Sequence, residues 1–170
     1  MNKILIFGVG LIGGSIALSA KKSGLASDIV GVGRNQDNLN DAIKLKLIDR
    51  TSQELNKDIA EAHIIIIATP VAQFPLILKT IQPHLSSHTI ITDVGSTKTS
   101  VIESAKQILG SQYSQFIGGH PIAGSEKHGA TAAHIDLFKD KNVILTPDQD
   151  TSSRAKEVIE ALWKNAGAIV

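Results

Sequence analysis

Residues 3–14 read KILIFGVGLIGG, an apolar run that passes directly into a cluster of glycines. Residues 3–7 have the short apolar pattern of a buried strand. Residues 11–23 have helical period, and Gly24 is suited to end that helix. The stretch therefore predicts a strand, a tight turn and a helix in immediate succession.

Three glycines in this turn, Gly8, Gly10 and Gly13, have the spacing G-x-G-x-x-G. After a strand, the first glycine permits a tight turn, the second lets a pyrophosphate approach the backbone, and the third lets helix and strand pack closely. The helix amino terminus offers unpaired N–H groups to phosphate. We therefore predict a dinucleotide site that includes Leu11 and Ile12. The alternative is a turn that needs small residues only for packing.

Beyond the turn, short β-branched runs alternate with segments of helical period. This alternation predicts an α/β fold with a doubly wound, mostly parallel sheet, a Rossmann-type dinucleotide-binding domain over residues 1–170. The predicted strands cover residues 3–7, 28–32, 63–68, 89–93, 115–118 and 142–145. The predicted helices cover residues 11–23, 38–45, 71–81, 97–109 and 152–165. Residues 167–170 look like the start of a further strand, so we expect the amino-terminal part of a longer protein.

Composition excludes several classes of function. Seventeen basic and sixteen acidic residues give a net charge of +1 without a basic block, so nucleic acid is not an expected partner. The absence of cysteine removes disulfides and thiolate metal sites and suits a reducing cytoplasm. The longest apolar region, residues 63–78, is interrupted by Pro70 and Pro75 and is too short for a membrane span. We read no export signal and expect a cytoplasmic protein without a membrane partner.

The residues after the second predicted strand bear on the cofactor. An NAD-binding domain usually has Asp or Glu about 20 residues after the glycines, where it binds the ribose hydroxyls. Here that position is Gly33, followed by Arg34 and Asn35, which we include in the predicted site. One charge-assisted contact from Arg34 to a 2′-phosphate is worth about 1.5–3 kcal/mol. We therefore favour NADP, with NAD as the alternative; Arg34 could instead stack on adenine or point into solvent.

Three further segments lie at the carboxyl ends of predicted strands, where ligands of such sheets bind. They are ATPVAQF (68–74), DVGSTK (93–98) and GGHPIAGSE (118–126). From the first we predict Thr69, Pro70 and Val71 as cofactor-binding residues.

In the second segment, Ser96 can cap the helix that follows, and Lys98 lies in its first turn. A cation there opposes the helix dipole, which favours a bound carboxylate or phosphate as its partner. The alternative is a Lys98 side chain that projects into water.

In the third segment, His120 lies between the glycines at 118–119 and Pro121, which biases the backbone to be extended. Imidazole can exchange a proton at physiological pH, as a dehydrogenase needs when an alcohol loses hydride. We predict His120 as the catalytic residue, with Ser125 and Glu126 hydrogen-bonded to a polar substrate. The alternative is a histidine that bonds to backbone at a strand end.

Metal binding is not expected. His120, His128 and His134 are separated by eight and six positions, which fits neither a helical His-x-x-x-His pair nor a short chelating turn.

The motifs GVGLIGGS (8–15), ATPV (68–71), DVGSTK (93–98) and GGHPIAGSE (118–126), in this order, resemble the dinucleotide-binding half of the prephenate/arogenate (cyclohexadienyl) dehydrogenase family, oxidoreductases of tyrosine biosynthesis. The resemblance runs from about residue 1 to the end of the chain. Its last two motifs are more specific than the glycine turn.

The resemblance implies oxidative decarboxylation. Hydride leaves the ring carbon that bears the hydroxyl, a histidine takes the hydroxyl proton, and loss of the ring carboxylate as CO2 aromatises the product. The family's catalytic histidine corresponds to His120, and Ser96 corresponds to a serine that helps hold the substrate and this histidine. The resemblance also implies that Lys98, Ser125 and Glu126 lie near the substrate.

The resemblance further implies a carboxyl-terminal helical domain that dimerises, supplies further substrate-binding residues and is absent from these 170 residues. We therefore expect the full-length protein to be a homodimer, and the present chain to bind NADP(H) but to turn over substrate poorly. Two other functions stay open, because one fold serves many. One is a different NAD(P)-linked oxidoreductase, such as a β-hydroxyacid dehydrogenase or an imine reductase; the other is a nucleotide-binding module without chemistry.

Overall fold

The computed structural model describes residues 2–170, along which seven strands alternate with six α-helices. The strands are β1 (Lys3–Phe7), β2 (Asp28–Val32), β3 (Arg50–Thr51), β4 (Ile64–Ile67), β5 (Ile90–Asp93), β6 (Phe116–Pro121) and β7 (Val143–Thr146). The helices are α1 (Leu11–Lys22), α2 (Gln36–Lys44), α3 (Leu55–Glu61), α4 (Phe74–Ile81), α5 (Lys98–Leu109) and α6 (Ser153–Asn165).

All seven strands form one sheet in the order β3-β2-β1-β4-β5-β6-β7. Strands β1 to β6 are parallel, and β7 is antiparallel to β6. Phe7 at the end of β1 pairs with Val32 on one side and Ile67 on the other, so three strands end at the same edge. The strand order reverses between β1 and β4, which is where sheets of this kind bind ligands. The predicted doubly wound, mostly parallel α/β fold is confirmed.

The elements differ from the sequence prediction in three places. Strand β3 and helix α3 were not predicted, because a strand of two residues carries no periodic pattern. The helix predicted over 71–81 begins as a 3₁₀ turn, and α4 starts at Phe74 with Pro75 in its first turn. Strand β7 runs antiparallel to β6, and the connection over residues 122–142 contains the 3₁₀ turn Ala130–Ala132 rather than an α-helix.

The core consists of two apolar layers, one on each face of the sheet. Successive residues of a strand point to opposite faces, so Ile4 and Ile6 contribute to one layer while Leu5 and Phe7 contribute to the other. The first layer is completed by α1, α2 and α6, including the buried Trp163, and the second by α3, α4 and α5. Both faces of β1 are covered, which explains its continuous apolar sequence.

Residues 167–170, predicted as the start of a strand, form only an isolated β-bridge. Ile169 forms a single parallel bridge with Asn142, beside β7. Within residues 2–170, none of the helices combines the length and the apolar character that crossing a bilayer requires.

Candidate cofactor and active site

The glycine turn between β1 and α1 has the geometry that its sequence predicts. Gly8 has φ +92°, and a Cβ there would lie 2.6 Å from the carbonyl oxygen of Ala68. A Cβ on Gly13 would overlap the carbonyl oxygen of Gly8. By contrast, a Cβ on Gly10 would have no atom of residues 2–170 within 4 Å. Packing therefore accounts for Gly8 and Gly13, whereas the absence of a side chain at Gly10 leaves open space next to the backbone.

A cleft of about 510 Å³ lies over this turn, at the carboxyl ends of β1, β2 and β4. Its volume is within the range of small-molecule sites in proteins. Six of the predicted cofactor residues line it: Gly8, Gly10, Arg34, Asn35, Thr69 and Pro70. Apolar residues complete the walls: Phe7, Val32, Leu55, Leu76 and Ile77.

Thr69 gives the cleft a polar group without a partner. Its hydroxyl oxygen is buried and makes no hydrogen bond within the part of the chain that the structure describes. A buried hydroxyl that lacks a partner is costly, and a polar ligand in the cleft would remove this cost. The open space at Gly10 and the unpaired Thr69 hydroxyl both fit a bound dinucleotide.

The remaining predicted cofactor residues do not line this cleft. Leu11 and Ile12 pack against the core layer of α1, and Val71 packs against the opposite layer. Gly13 is buried between helix and strand and shapes the turn.

Asn35 and Arg34 lie on the rim of the cleft and differ in their partners. The side-chain oxygen of Asn35 accepts a hydrogen bond of 3.0 Å from the N–H of Asn38 and so caps α2. The sequence analysis predicted Asn35 as a cofactor-binding residue but did not predict that it caps α2. Arg34 is exposed on the rim, and Gly33 beside it contributes no carboxylate.

A second cluster lies where β5 and β6 end. Asp93 is 1% exposed, and its carboxylate forms an ion pair with the ammonium of Lys98. The carboxylate also accepts hydrogen bonds from the N–H groups of Gly95, at 2.8 Å, and Gly119, at 3.2 Å. Lys98 donates in turn to the carbonyl oxygen of Gly119, at 2.7 Å. Burial raises the pKa of Asp93 and lowers that of Lys98, while the contact between them opposes both shifts.

This cluster changes the helix-dipole argument for Lys98, while the predicted place of Lys98 near the substrate stays a prediction. The anion near its ammonium is Asp93. This carboxylate offsets the unfavourable position of a cation at the start of α5, so no bound ligand is needed for that purpose. The side chain is 14% exposed and does not project into water either. Lys98 and Asp93 instead fasten the ends of the two strands to each other, immediately before His120.

His120 lies in β6, half-buried, opposite Ile144 of β7. Side chains two apart on a strand share a face. Gly118 is two residues earlier, and a Cβ there would lie 3.4 Å from the side chain of Lys98. His120 is therefore on the face of the sheet where α5 begins, at the carboxyl edge, as the sequence predicts.

The other predicted substrate residues are exposed. Ser96 precedes α5, but the helix cap is Thr97, whose side chain makes no capping bond, so the predicted capping role of Ser96 is wrong. Ser125 and Glu126 lie in the exposed part of the 122–129 loop after β6, where the Ser125 hydroxyl accepts a bond from the N–H of Lys127 at 3.2 Å. All three residues follow strands that end at the carboxyl edge.

Metal ligands do not come together in the described part of the chain. Within residues 2–170, the structure has no group of three or more His, Cys, Asp or Glu side chains that could hold an ion.

Sequence reasoning missed two polar residues at this edge, the half-buried Asn38 and the buried Asp93. Asn38 lines the cleft and connects the glycine turn to Ala130, at the far end of the 122–129 loop. Asp93 was quoted as part of a motif but given no role. Both act on backbone groups far away in sequence, and the only signal available was their polarity next to predicted apolar elements.

A doubly wound sheet with a glycine turn and a ligand-sized cleft at its topological switch point defines a Rossmann-type nucleotide-binding domain. The chain belongs to the prephenate dehydrogenase family: the family model described as "Prephenate dehydrogenase, nucleotide-binding domain" matches residues 16–170. This match starts after the glycine turn and is therefore independent of the G-x-G-x-x-G spacing.

Individual relatives agree with the family. The chain is 43% identical to the prephenate dehydrogenase of Bacillus subtilis (strain 168) over 168 residues, which is 98% of this chain and 45% of the relative. A crystal structure of Aquifex aeolicus prephenate dehydrogenase in complex with hydroxyphenyl propionate and NAD+ superposes with a TM-score of 0.91 at 34% identity, covering 100% of this chain and 59% of that one. Synechocystis arogenate dehydrogenase gives a TM-score of 0.87 at 34% identity, covering 98% and 58%. The chain spans about half the length of the curated relatives that it matches.

Proposed function

We propose that this chain is the cofactor-binding half of an NAD(P)-dependent enzyme that oxidatively decarboxylates prephenate, arogenate or both. The observation that carries the proposal is the common edge of the sheet. The cleft over the glycine turn lies at the carboxyl edge, and β6, which bears His120, ends at the same edge. The chain is also a member of the prephenate dehydrogenase family. A cofactor and a proton acceptor can therefore reach one substrate.

The residues that would hold the dinucleotide are those of the glycine turn and the cleft. The backbone at Gly10 and the N–H groups at the start of α1 would receive the pyrophosphate, and the unpaired Thr69 hydroxyl would gain a partner. When bound, the nicotinamide supplies the acceptor for hydride. We favour NADP over NAD, because Gly33 offers no carboxylate to repel a 2′-phosphate and the exposed Arg34 is on the rim.

The chain's own contribution to the chemistry is proton transfer and positioning. An imidazole nitrogen of His120 takes the proton of the substrate hydroxyl as hydride leaves the same carbon. The bond from the ring to its carboxylate then breaks, and its electron pair completes the aromatic ring as CO2 departs. The Asp93–Lys98 pair holds Gly119, the residue before His120, through two backbone hydrogen bonds. Ser96, Ser125 and Glu126 are proposed to hydrogen-bond the substrate from the surrounding loops.

The test is a matrix of prephenate and arogenate against NADP+ and NAD+, followed as reduced cofactor, on the complete gene product. His120→Asn should lower kcat by about 10²- to 10⁴-fold while dinucleotide binding is unchanged. His128→Asn is the matched control, since His128 is exposed in the 122–129 loop. Little loss of turnover in His120→Asn would favour a different NAD(P)-linked oxidoreductase, and no turnover with either substrate would favour a binding module.

The isolated 170-residue chain should bind NADP(H) but turn over substrate poorly. The relatives that it matches are about twice its length, and the resemblance assigns further substrate-binding residues to a helical domain that dimerises. On the same basis we propose a homodimer and a cytoplasmic location for the full-length protein.

A further inference from the structure

The side-chain amide of Asn38 connects the glycine turn to the loop that carries Ser125 and Glu126. Its Nδ2 donates a hydrogen bond of 2.7 Å to the carbonyl oxygen of Val9, between Gly8 and Gly10. Its Oδ1 accepts a hydrogen bond of 2.7 Å from the N–H of Ala130, which follows the 122–129 loop. Val9 and Ala130 are each 1% exposed, so both bonds join buried backbone groups.

The amide can satisfy both partners in only one orientation. Its oxygen faces an N–H donor and its nitrogen faces a carbonyl acceptor, so a flipped amide would lose both bonds. The backbone of Asn38 is itself held, because its N–H donates to Asn35 at the start of α2. Gly129, with φ +80°, leaves room for the contact, since a Cβ there would lie 3.1 Å from the Asn38 oxygen. The two bonds therefore fix the orientation of the Asn38 amide.

The segment after the loop has a second attachment, to α1. The hydroxyl of Ser15 accepts a bond of 3.0 Å from the N–H of His134, while it donates to the carbonyl oxygen of Leu11 at 2.7 Å. Gly14 lies so close to this segment that a Cβ there would be 2.8 Å from the Cβ of Ala133. One end of the 122–129 loop is thus fixed to the turn and the helix that form the proposed nucleotide site.

We propose that Asn38 is a positioning residue that couples occupancy of the glycine turn to the placement of the 122–129 loop. This inference depends on the proposed function for its ligand. A nucleotide that fixes the backbone at Gly8 to Gly10 also fixes the Val9 carbonyl, and the bridge then fixes Ala130 and the end of the loop. The coupling is reciprocal, so ordering of the loop by substrate strengthens nucleotide binding.

The test is amide hydrogen exchange of the peptide spanning residues 122–134, in the 170-residue chain with and without saturating NADP+. In the wild type, NADP+ should slow exchange across this peptide. Asn38→Leu removes both bonds, so the amide of Ala130 should exchange about 10- to 100-fold faster and the effect of NADP+ should disappear.

Asn38→Asp is the second variant and keeps the shape of the side chain. Its carboxylate still accepts from Ala130 but repels the Val9 carbonyl, so Ala130 should stay protected while the response to NADP+ is lost. Asn40→Leu is the control, because Asn40 is exposed on the same helix and bonds only to Gln36.

A response to NADP+ that persists in both Asn38 variants, at saturation, overturns the coupling and leaves the proposed function intact. If the wild type binds neither NADP+ nor NAD+, measured by calorimetry, the proposed function fails, and the coupling fails with it.

Discussion

Arg34 is the residue on which the proposed cofactor preference depends. It lies on the rim of the cleft, next to a glycine where a carboxylate would repel a 2′-phosphate. Arg34→Gln should raise the Kd for NADP+ by about 10- to 100-fold and leave the Kd for NAD+ nearly unchanged, because only NADP+ has the phosphate. Calorimetric titration of both cofactors measures this difference. Arg154→Gln, at an exposed position in α6, serves as the control, and equal or tighter NAD+ binding by the wild type would contradict the preference.

Individual residues were predictable where a local pattern carries their role. His120 stands in a distinctive sequence, and the glycine spacing states which backbone atoms must approach closely. Asn38 could not be found in this way, since its partner Ala130 is 92 positions away and is recognised through a backbone N–H. The ion pair of Lys98 was missed for a different reason: Asp93 lies in the same quoted motif, but the turn that joins β5 to α5 and brings the two side chains together has no signal of its own in the sequence.

At the scale of elements, the turn between β1 and α1 contains one glycine that packing requires, Gly13, and one that packing does not require, Gly10. Gly13→Ala should lower the free energy of unfolding by at least about 2 kcal/mol, because the clash with the Gly8 carbonyl cannot be relieved by rotation and exceeds the gain of about 1 kcal/mol in helix propensity.

Gly10→Ala should change the free energy of unfolding by at most about 1 kcal/mol, since its methyl group meets no protein atom among residues 2–170. It should nevertheless weaken NADP+ binding at least about tenfold, which corresponds to about 1.4 kcal/mol, because the methyl group occupies the approach to the backbone. Urea denaturation and calorimetry on the two variants measure these quantities. Unchanged NADP+ binding in Gly10→Ala would contradict the proposed site.

The elements themselves were largely predictable, because β1, β2, β4 and β5 are mostly buried and each contains a run of β-branched or other apolar residues. The direction of β7 was not specified by its own residues, since a short apolar strand has the same pattern in either direction and the connection over residues 122–142 is long enough for both. Strand β3 was beyond prediction for a similar reason: its two residues are held by pairing with β2 rather than by a pattern of their own.

At the scale of the whole molecule, a charged network lies at the amino edge of the sheet, and the proposed ligand site lies at the carboxyl edge. Asp58, 4% exposed, accepts two bonds from Arg50, at 2.6 and 3.1 Å, one from Ser52 at 2.7 Å and one from Lys3 at 3.3 Å. The Arg50 guanidinium is the main cause that lowers the pKa of Asp58 to about 2. The network ties β1, β3 and α3 together.

This network predicts how stability falls in acid. The pKa of Asp58 is lower in the folded chain than the ordinary 3.8, so its contribution of about 2 kcal/mol is present above pH 4 and is lost as the pH falls towards 2. Asp58→Asn should cost about 3 kcal/mol at pH 7 and should flatten the pH dependence between 4 and 2.

Urea denaturation at several pH values measures this effect. Glu61→Gln is the control, because Glu61 also bonds to Lys3 but is 49% exposed, and it should change the free energy of unfolding by less than about 1 kcal/mol. An Asp58→Asn variant with the acid sensitivity of the wild type would contradict the assignment.

The Asp58 network shares no residue with the lining of the cleft, which has a consequence for protein engineering. Residues 124–128 and Arg34 can be randomised in a combinatorial library without touching the ion pairs that keep the amino edge folded. Selection for altered substrates or cofactors should therefore recover a high fraction of well-folded clones from that rim, and a low fraction from libraries that vary Arg50 or Asp58.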